Sequence, residues 1–261
     1  MNSDNEIGDK YMVSVTQRIS AIKQPRGGYL PSKMFAVREL TDSKELNEVE
    51  NLHAVLIGIC VDYLTRLMNG AAKEEAFRVS LIGAMLIRKQ EIAAKLLDEI
   101  TGLDDSSIIN ACRLSGFDVV YRAGSARYKP VEEISPDKAT IDNIRIMVER
   151  SLAFLEEFGP VKKDGFTFEG GYTDTIDSGD GDFLTEDTLW DFKVSKSAIK
   201  KEQTLQLLVY YLMGINSVHG EFQMIDKLGI FNPRQNKIYL LEIDRISDET
   251  IELVSNEVIG Y

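Results

Sequence analysis

One stretch, residues 179–196 (GDGDFLTEDTLWDFKVSK), constrains the fold more than any other part of the chain. Its pattern predicts a β-hairpin whose two strands cover 182–185 and 188–194, joined by a turn at Glu186-Asp187. Side chains alternate in direction along a strand, so each strand has two distinct faces. The hairpin therefore fixes which side chains enter a core and which lie together on the opposite face.

One face of the predicted hairpin carries charged side chains. Asp191 and Lys193 lie on it, and Asp182 is available from the neighbouring strand. The opposite face is apolar and carries Trp190, Phe192 and Val194. Burying unpaired charges costs several kcal/mol each, on the order of magnitude found for ions in proteins. A divalent cation bound between the two carboxylates would explain why these charges lie together, and the lysine could then orient a water. The alternative is a solvated hairpin edge.

A helix is predicted directly after the hairpin. Residues 200–213 show helical spacing of apolar positions, and they follow the second strand without a long connection. Gln206 and Tyr210 are one turn apart in this helix and share a face. The sequence therefore predicts a strand–strand–helix unit with polar side chains on both the hairpin and the helix.

These residues resemble the PD-(D/E)XK nucleases, and among them the RecB-like exonuclease branch. That branch shows a Gly-x-x-Asp strand, then Asp-x-Lys, then a helix with Gln-x-x-x-Tyr. The matching segments are 179–182, 191–193 and 206–210, in that order. The resemblance covers about Thr140 to Glu242, and it departs from the family where Gly181 stands in place of the usual Pro.

The resemblance implies a set of roles. Asp182 and Asp191 are expected to bind Mg²⁺ or Mn²⁺, Lys193 to orient the attacking water, and Gln206 and Tyr210 to position the nucleic-acid strand or support the catalytic face. In the RecB-like branch an upstream helical His also binds the metal, which makes His53 a candidate ligand. The alternative for His53 is a surface or capped core histidine, because the preceding Gly of the family is missing and His53 lies 129 residues before Asp182. Glu149 is a further candidate, from the helix that supplies a ligand in many such enzymes.

The composition limits the kind of nucleic-acid contact. The net charge of −12 disfavours broad, sequence-independent wrapping of nucleic acid, but it allows a local basic path. Such a path is suggested near the predicted site by Lys193, Lys196, Lys200 and Lys201, and the N-terminal third adds Arg18, Lys23, Arg26, Lys33 and Arg38. Scattered surface lysines are the alternative interpretation.

The two cysteines and the N-terminus indicate the compartment. Cys60 and Cys112 each lie in an apolar helical stretch and are expected to be buried free thiols in a reducing environment. The N-terminus is polar and acidic, without a signal peptide, and no apolar run approaches the ~20 residues that cross a bilayer. We expect a cytoplasmic protein with no membrane association.

The hydrophobic pattern predicts the other elements. Residues 11–22 are expected as a strand or the start of a helix. Helices are predicted over 42–69, 73–100, 104–115, 140–158 and 246–258, and further strands over 117–121, 166–176, 227–231 and 237–243. From Thr140 the order is helix, three strands, helix, two strands, helix. This order fits the nuclease core and predicts an α/β protein with two regions: a mainly helical N-terminal region, 1–138, and a restriction-endonuclease-like core, 139–261, built on a mixed sheet flanked by helices.

Together these features predict a metal-dependent nuclease that hydrolyses phosphodiester bonds of nucleic acid, with DNA as the expected substrate. The alternative is a catalytically inactive nuclease-fold subunit that binds nucleic acid or a protein partner in a defence or repair complex. The net charge of −12 favours the alternative, and the intact Asp/Asp/Lys set favours the enzyme.

Overall fold

A computed structural model describes residues 13–261. The polar residues 1–12, on which the prediction of no signal peptide rests, lie outside the described part, as does the beginning of the element predicted at 11–22. The α-helices in the described part are α1 (Val15–Ala21), α2 (Ala54–Met68), α3 (Lys73–Ala76), α4 (Arg78–Leu86), α5 (Gln90–Asp98), α6 (Asp105–Ser115), α7 (Asp118–Ala123), α8 (Lys138–Phe158), α9 (Lys201–Ile215) and α10 (Asp248–Leu253). The strands are β1 (Ala36–Glu39), β2 (Lys163–Phe166), β3 (Gly181–Leu184), β4 (Thr188–Phe192), β5 (Lys227–Asn232) and β6 (Lys237–Glu242).

The strands form one mixed sheet in the order β1-β6-β5-β4-β3-β2. Only β4 and β5 are parallel, and the other neighbours are antiparallel. A parallel pair needs a crossover connection, and α9 supplies it between β4 and β5. The predicted α/β class with a mixed sheet flanked by helices is confirmed at this level.

The two faces of the sheet are covered by different helices. On one face the apolar side of α9 packs against Leu184, Leu189 and Ile230. On the other face Phe154 of α8 packs against Trp190. The alternation predicted for the hairpin therefore places the two charged strand positions on the α9 side of the sheet.

The helical region has its own apolar core. Residues of α2, α5, α6 and α8 share this cluster, so α8 contacts both the sheet and the N-terminal helices. Residues 15–39 pack differently, because Val15 and Ile19 join the α9-side core and β1 pairs with β6 at the edge of the sheet. The division at 138/139 stays a prediction.

Several helix ends follow their sequence signals. Asp104 caps α6 by accepting a hydrogen bond from the Ser107 backbone at 3.1 Å, as the acidic start predicts. Asp137 caps α8 in the same way, with 2.8 Å to the Thr140 nitrogen. The segment at 11–22 resolves as a helix, α1, from Val15 onward. The predicted last helix begins at Asp248 and continues past Leu253 as a π-helical turn.

The helix predicted over 42–69 is too long. The observed helix α2 begins at Ala54, and residues 42–53 are irregular. Side chains of α8 provide partners for the backbone there: the Asn47 nitrogen donates to Asn143 at 2.7 Å and the Asn51 nitrogen donates to Thr140 at 3.0 Å. These long-range bonds replace helical ones, which sequence periodicity does not reveal. The region predicted over 73–100 likewise divides into three helices.

Two predicted strands are wrong. Residues 117–121 lie in the turn before α7 and in α7 itself, where Phe117 is fully buried and stacks on Tyr128. The strand predicted over 166–176 is also wrong, because the observed strand β2 covers Lys163–Phe166 and ends where the predicted strand begins. Beyond it the chain turns at Gly170, with φ of 88°, and a side chain on Gly171 would approach the Met213 carbonyl oxygen to 2.2 Å. The alternating pattern therefore belongs to a segment bent closely over α9.

Candidate active site

The hairpin of β3 and β4 brings the predicted carboxylates together. Phe183 pairs with Trp190, so the antiparallel register places Asp182 opposite Asp191. The Asp182 Oδ2 atom accepts a hydrogen bond from the Phe192 backbone nitrogen at 2.6 Å. The hairpin predicted from the sequence is therefore confirmed, and both acids lie on one face of it.

Gly181 has a local reason to be glycine. A side chain at this position would place its Cβ 2.2 Å from the Phe166 ring, which lies across from it on β2. The family that the sequence resembles usually has Pro here. The Phe166 ring takes up the space that a larger residue would need.

Asp191 and Lys193 form the buried centre of the site. Asp191 is 2% exposed, and its Oδ1 atom accepts a hydrogen bond from the Lys193 Nζ atom at 2.7 Å. The other oxygen, Oδ2, is buried and has no hydrogen-bond partner among the described residues. An unpaired buried carboxylate oxygen carries the full cost of its desolvation, so this atom is available for an additional ligand.

Burial dominates the electrostatics of the two acids. It raises the pKa of Asp182 to about 7, with a further rise from the Asp191 charge and opposition from Lys193. Burial also raises the pKa of Asp191, again opposed by Lys193. Burial lowers the pKa of Lys193, but the charges of Asp191 and Asp182 raise it more, so the pKa lies above its ordinary value. The lysine thus stays protonated while the carboxyls share less than their full negative charge near neutral pH.

Gln206 and Tyr210 also reach this face. The Gln206 Nε2 atom donates to the Tyr210 hydroxyl at 2.7 Å, as expected for residues one turn apart on α9. Tyr210 is 4% exposed; burial raises its pKa well above the ordinary range, and the Asp191 charge adds to the rise. Tyr210 belongs to the apolar cluster that includes Leu184 and Leu189, so it packs on the sheet face that also carries the two acids.

His53 has a different contact. It is the N-cap of α2, where its exposed ring accepts a hydrogen bond from the Val55 backbone nitrogen at 3.3 Å. Within residues 13–261 no hydrogen bond or ion pair joins it to Asp182 or Asp191. Glu149 lies on α8, where it forms an ion pair with Lys44. The exposed ring agrees with the alternative of a surface histidine, and its capping contact was not predicted. The role of His53 as a metal ligand stays a prediction.

Sequence reasoning missed Asp62 of α2. Asp62 lines the same cleft as Asp182 and raises the pKa of Asp182 through its charge. Arg66 pairs with Asp62 at 3.0 Å and with Asp164 of β2 at 2.8 Å. The signal was present: Asp62 is the only acid in the apolar helix 54–68, and it stands four residues before an arginine.

Arg122 of α7 forms part of the wall of the cleft. It pairs with the fully buried Asp118 at 2.6 Å, which also accepts a hydrogen bond from Tyr63. A second contact of Arg122, 3.7 Å long, reaches Asp180 just before β3. The arginine is therefore held in place from α7 and faces the acidic strand.

Two neighbouring cavities open onto Asp182. One, of about 650 Å³, lies between α2 and the end of β4 and includes Lys193; the other, of about 390 Å³, lies between α2 and β2. Asp62, Arg122 and Asp182 border both. Asp182 is therefore reachable from both cavities.

The donor set is compatible with Mg²⁺ or Mn²⁺ bound together with a substrate. Across residues 13–261, no group of three or more His, Cys, Asp or Glu side chains is arranged to hold a metal by itself. Mg²⁺, however, keeps several waters and uses one or two carboxylates plus substrate phosphates. Asp182 and the unpartnered Asp191 oxygen meet that smaller requirement.

Comparisons of this chain with protein-family models, with curated proteins and with solved structures found no match in any of the three. Among the helices of the described part, none is long and apolar enough to cross a membrane.

The raised pKa of Asp182 leads to a prediction about stability without metal. An acid whose folded pKa lies near 7, above its ordinary 3.8, stabilises the fold while protonated, and that stabilisation is lost as the pH rises from 4 to 7. Asp182→Asn keeps a neutral acceptor, so it should be increasingly more stable than wild type across that window, by up to about 4 kcal/mol. Melting curves of both proteins from pH 4 to 8, in chelator, measure the difference.

Asp98→Asn, on the exposed end of α5, is the matched control for loss of one negative charge. Melting curves of this variant in the same series measure the effect of losing one exposed negative charge. If Asp182→Asn is strongly destabilised at pH 7, the carboxylate is a structural acceptor for the Phe192 nitrogen. The prediction that the charged Asp182 carboxylate destabilises the metal-free protein would then be wrong.

Proposed function

We propose that this protein is a metal-dependent nuclease that hydrolyses phosphodiester bonds of nucleic acid, with DNA as the expected substrate. The observation that carries the proposal is the buried Asp182–Asp191–Lys193 cluster, in which one Asp191 carboxylate oxygen has no partner and Asp182 and Lys193 line an open cleft. A purely structural site has no need for two repelling acids on one sheet face.

The order of elements supports the same proposal. From α8 the chain runs helix, three strands, helix, strand, and the acids lie on the second and third of those strands. This is the order expected of the restriction-endonuclease-like core that the sequence resembles. The Asp-x-Lys segment ends β4, and the helix with Gln206 and Tyr210 follows it directly.

Each residue of the cluster has a distinct role in this proposal. Asp182 and Asp191 would hold Mg²⁺ or Mn²⁺, which when bound polarises the phosphate and lowers the pKa of a water. Lys193, held protonated by the acids, orients the attacking water and stabilises negative charge that develops on the phosphate. Gln206, which donates a hydrogen bond to the Tyr210 hydroxyl, would with Tyr210 position the nucleic-acid strand or support the catalytic face.

A cleavage assay tests the proposal directly. The purified protein is incubated with linear DNA, circular DNA and RNA, with Mg²⁺, with Mn²⁺ and in chelator. We expect cleavage that disappears in chelator and returns with either metal. Asp182→Asn, purified in the same way, is the control for contaminating nuclease and should be inactive. Cutting that persists in chelator would remove the two carboxylates from the mechanism.

Gln206→Ala should separate positioning from metal binding. The variant loses the 2.7 Å hydrogen bond to Tyr210 but keeps both carboxylates, so turnover should fall about tenfold while the rise in melting temperature with Mg²⁺ survives. Gln203→Ala, one turn earlier on the same helix, is the matched control and should cleave normally. Loss of the Mg²⁺ response in Gln206→Ala would mean that its role is structural.

One observation favours the inactive nuclease-fold subunit as a second candidate. Lys193 already neutralises Asp191, and within the described residues no third ligand completes a metal site. Such a subunit would bind nucleic acid or a protein partner without cleaving. Melting temperature decides between the two: the enzyme should respond to millimolar Mg²⁺, and the subunit should not.

A further inference from the structure

A third cavity lies between α2, α8 and the strands β2, β3 and β4, next to the two cavities that open onto Asp182. It measures about 290 Å³, close to the lower end of the range of small-molecule sites, roughly 300 to 1,000 Å³. Its apolar lining comes from β3, β4, α8 and the segment before β2, namely Phe183, Phe192, Leu155 and Val161. Phe183 is 8% exposed and Phe192 is half-buried, so this lining is already part of the folded core.

The rim of this cavity contains one uncommitted hydrogen-bonding group. Asn69 caps the C-terminus of α2, and its side-chain amide has no hydrogen bond within residues 13–261. The neighbouring Arg66 is already paired with Asp62 and Asp164. An amide offers one acceptor and two donors, which is the pairing capacity needed to recognise the edge of a base.

The third cavity shares lining residues with the cavities at the proposed site. Asp62 borders this cavity and both of the cavities that open onto Asp182, and Phe192 borders this cavity and the one that contains Lys193. Asp62 and Asp182 both line the cavities of about 390 and 650 Å³. A ligand with its phosphate at Asp182 and Lys193 would reach the third cavity past Asp62 and Phe192, which border both.

We infer that this cavity binds one nucleobase of the substrate, next to the phosphate that is cleaved. The inference rests on the proposed function. An aromatic ring fits the apolar lining, and the Asn69 amide can bond to its edge. A phosphate does not fit, because Asp62 and Asp164 give the rim negative charge while Arg66 is shared between them. The cavity has room for one ring system, so the site reads a single base.

Two variants test this inference, each with a matched control. Asn69→Ala removes the free amide; Asn216→Ala is its control, since Asn216 is an exposed C-cap of α9 with nearly the same backbone angles. Val161→Trp fills the cavity; Ala153→Trp, at an exposed position of α8 outside it, is its control. Melting curves show that each variant is folded.

The measurement is saturation-transfer NMR in Mg²⁺ with the four deoxynucleoside 5′-monophosphates and with deoxyribose 5-phosphate. N-acetyl-phenylalanine amide tests whether the cavity binds any aromatic ring and not a nucleobase in particular. The four ribonucleoside 5′-monophosphates test whether the base comes from RNA or from DNA. We expect at least one nucleotide to bind roughly tenfold or more tightly than deoxyribose 5-phosphate. Asn69→Ala should change the order of preference among bases, and Val161→Trp should reduce every nucleotide to the level of the sugar phosphate.

The outcomes distinguish this inference from the proposed nuclease activity. If the protein cleaves DNA but all nucleotides bind like deoxyribose 5-phosphate, or the phenylalanine probe binds equally well, the base site is wrong and the nuclease stands. If base-dependent binding is found and lost in Val161→Trp but no cleavage occurs with either metal, the base site stands and the nuclease is wrong. Equal effects of Asn69→Ala and Asn216→Ala would also overturn the inference.

Discussion

Lys193→Ala is expected to lower the cleavage rate by about a hundredfold or more while the Mg²⁺-induced rise in melting temperature remains. The lysine is 24% exposed at its side chain and lies 2.7 Å from Asp191. In the proposed mechanism it would act on charge that develops on the phosphate. Removing one such group typically costs about 10² to 10³ in rate. The two carboxylates that would hold the metal are unchanged, so binding of Mg²⁺ to the folded state persists.

Lys227→Ala is the matched control for this experiment. Lys227 has nearly the same side-chain exposure, 25%, and is also paired with a strand-end acid, Asp187, but it lies at the start of β5, at the opposite end of the strands. Its loss should affect stability slightly and leave cleavage unchanged. Two outcomes would contradict the assignment: equal rates for wild type and Lys193→Ala, or equal losses for the two lysine variants.

Phe154→Ala is expected to reduce the free energy of unfolding by about 3 to 5 kcal/mol, the usual cost of deleting a buried phenylalanine. Phe154 is fully buried on α8, with ring centroids 4.8 Å from Trp190 and 4.2 Å from Phe231. Trp190 precedes Asp191 in β4, so the empty space left by the substitution also loosens the strand that carries the acid. Chemical denaturation at constant pH measures the change.

Phe158→Ala provides the comparison on the same helix. Phe158 stacks on Phe154 at 5.0 Å and approaches Trp190 at 5.5 Å, but it is half-buried. Its substitution should cost clearly less than that of Phe154, because less apolar area returns to water. Similar costs for the two positions would show that α8 does not pack on the sheet through Phe154 as described.

The candidate site was largely predictable because its parts are local. Asp182, Asp191 and Lys193 lie in one hairpin, where alternation alone determines which side chains share a face. Gln206 and Tyr210 follow on the next helix, and the spacing of four residues gives their contact. The buried state of these groups, and the resulting rise in the carboxyl pKa values, were not predictable.

The errors occurred where distant contacts override local pattern. Residues 42–53 have helical periodicity but take their hydrogen bonds from Asn143 and Thr140 of α8. Residues 166–176 alternate like a strand but bend over α9 at Gly170 and Gly171. In both segments the local preference for helix or strand stabilises the chain less than the backbone hydrogen bonds and packing that distant residues supply.

The sequence by itself determined the α/β class, the β3–β4 hairpin and the face on which Asp182 and Asp191 meet, because strand and helix periods act over a few residues. Only the tertiary structure placed Asp62 of α2 beside Asp182 and joined β1 to the edge of the sheet. It also decided that three cavities converge on Asp62, with the Asn69 amide free at the rim of one. These relations depend on how α2 crosses the ends of strands far away in the chain, and packing between distant elements leaves no periodic signal in the sequence.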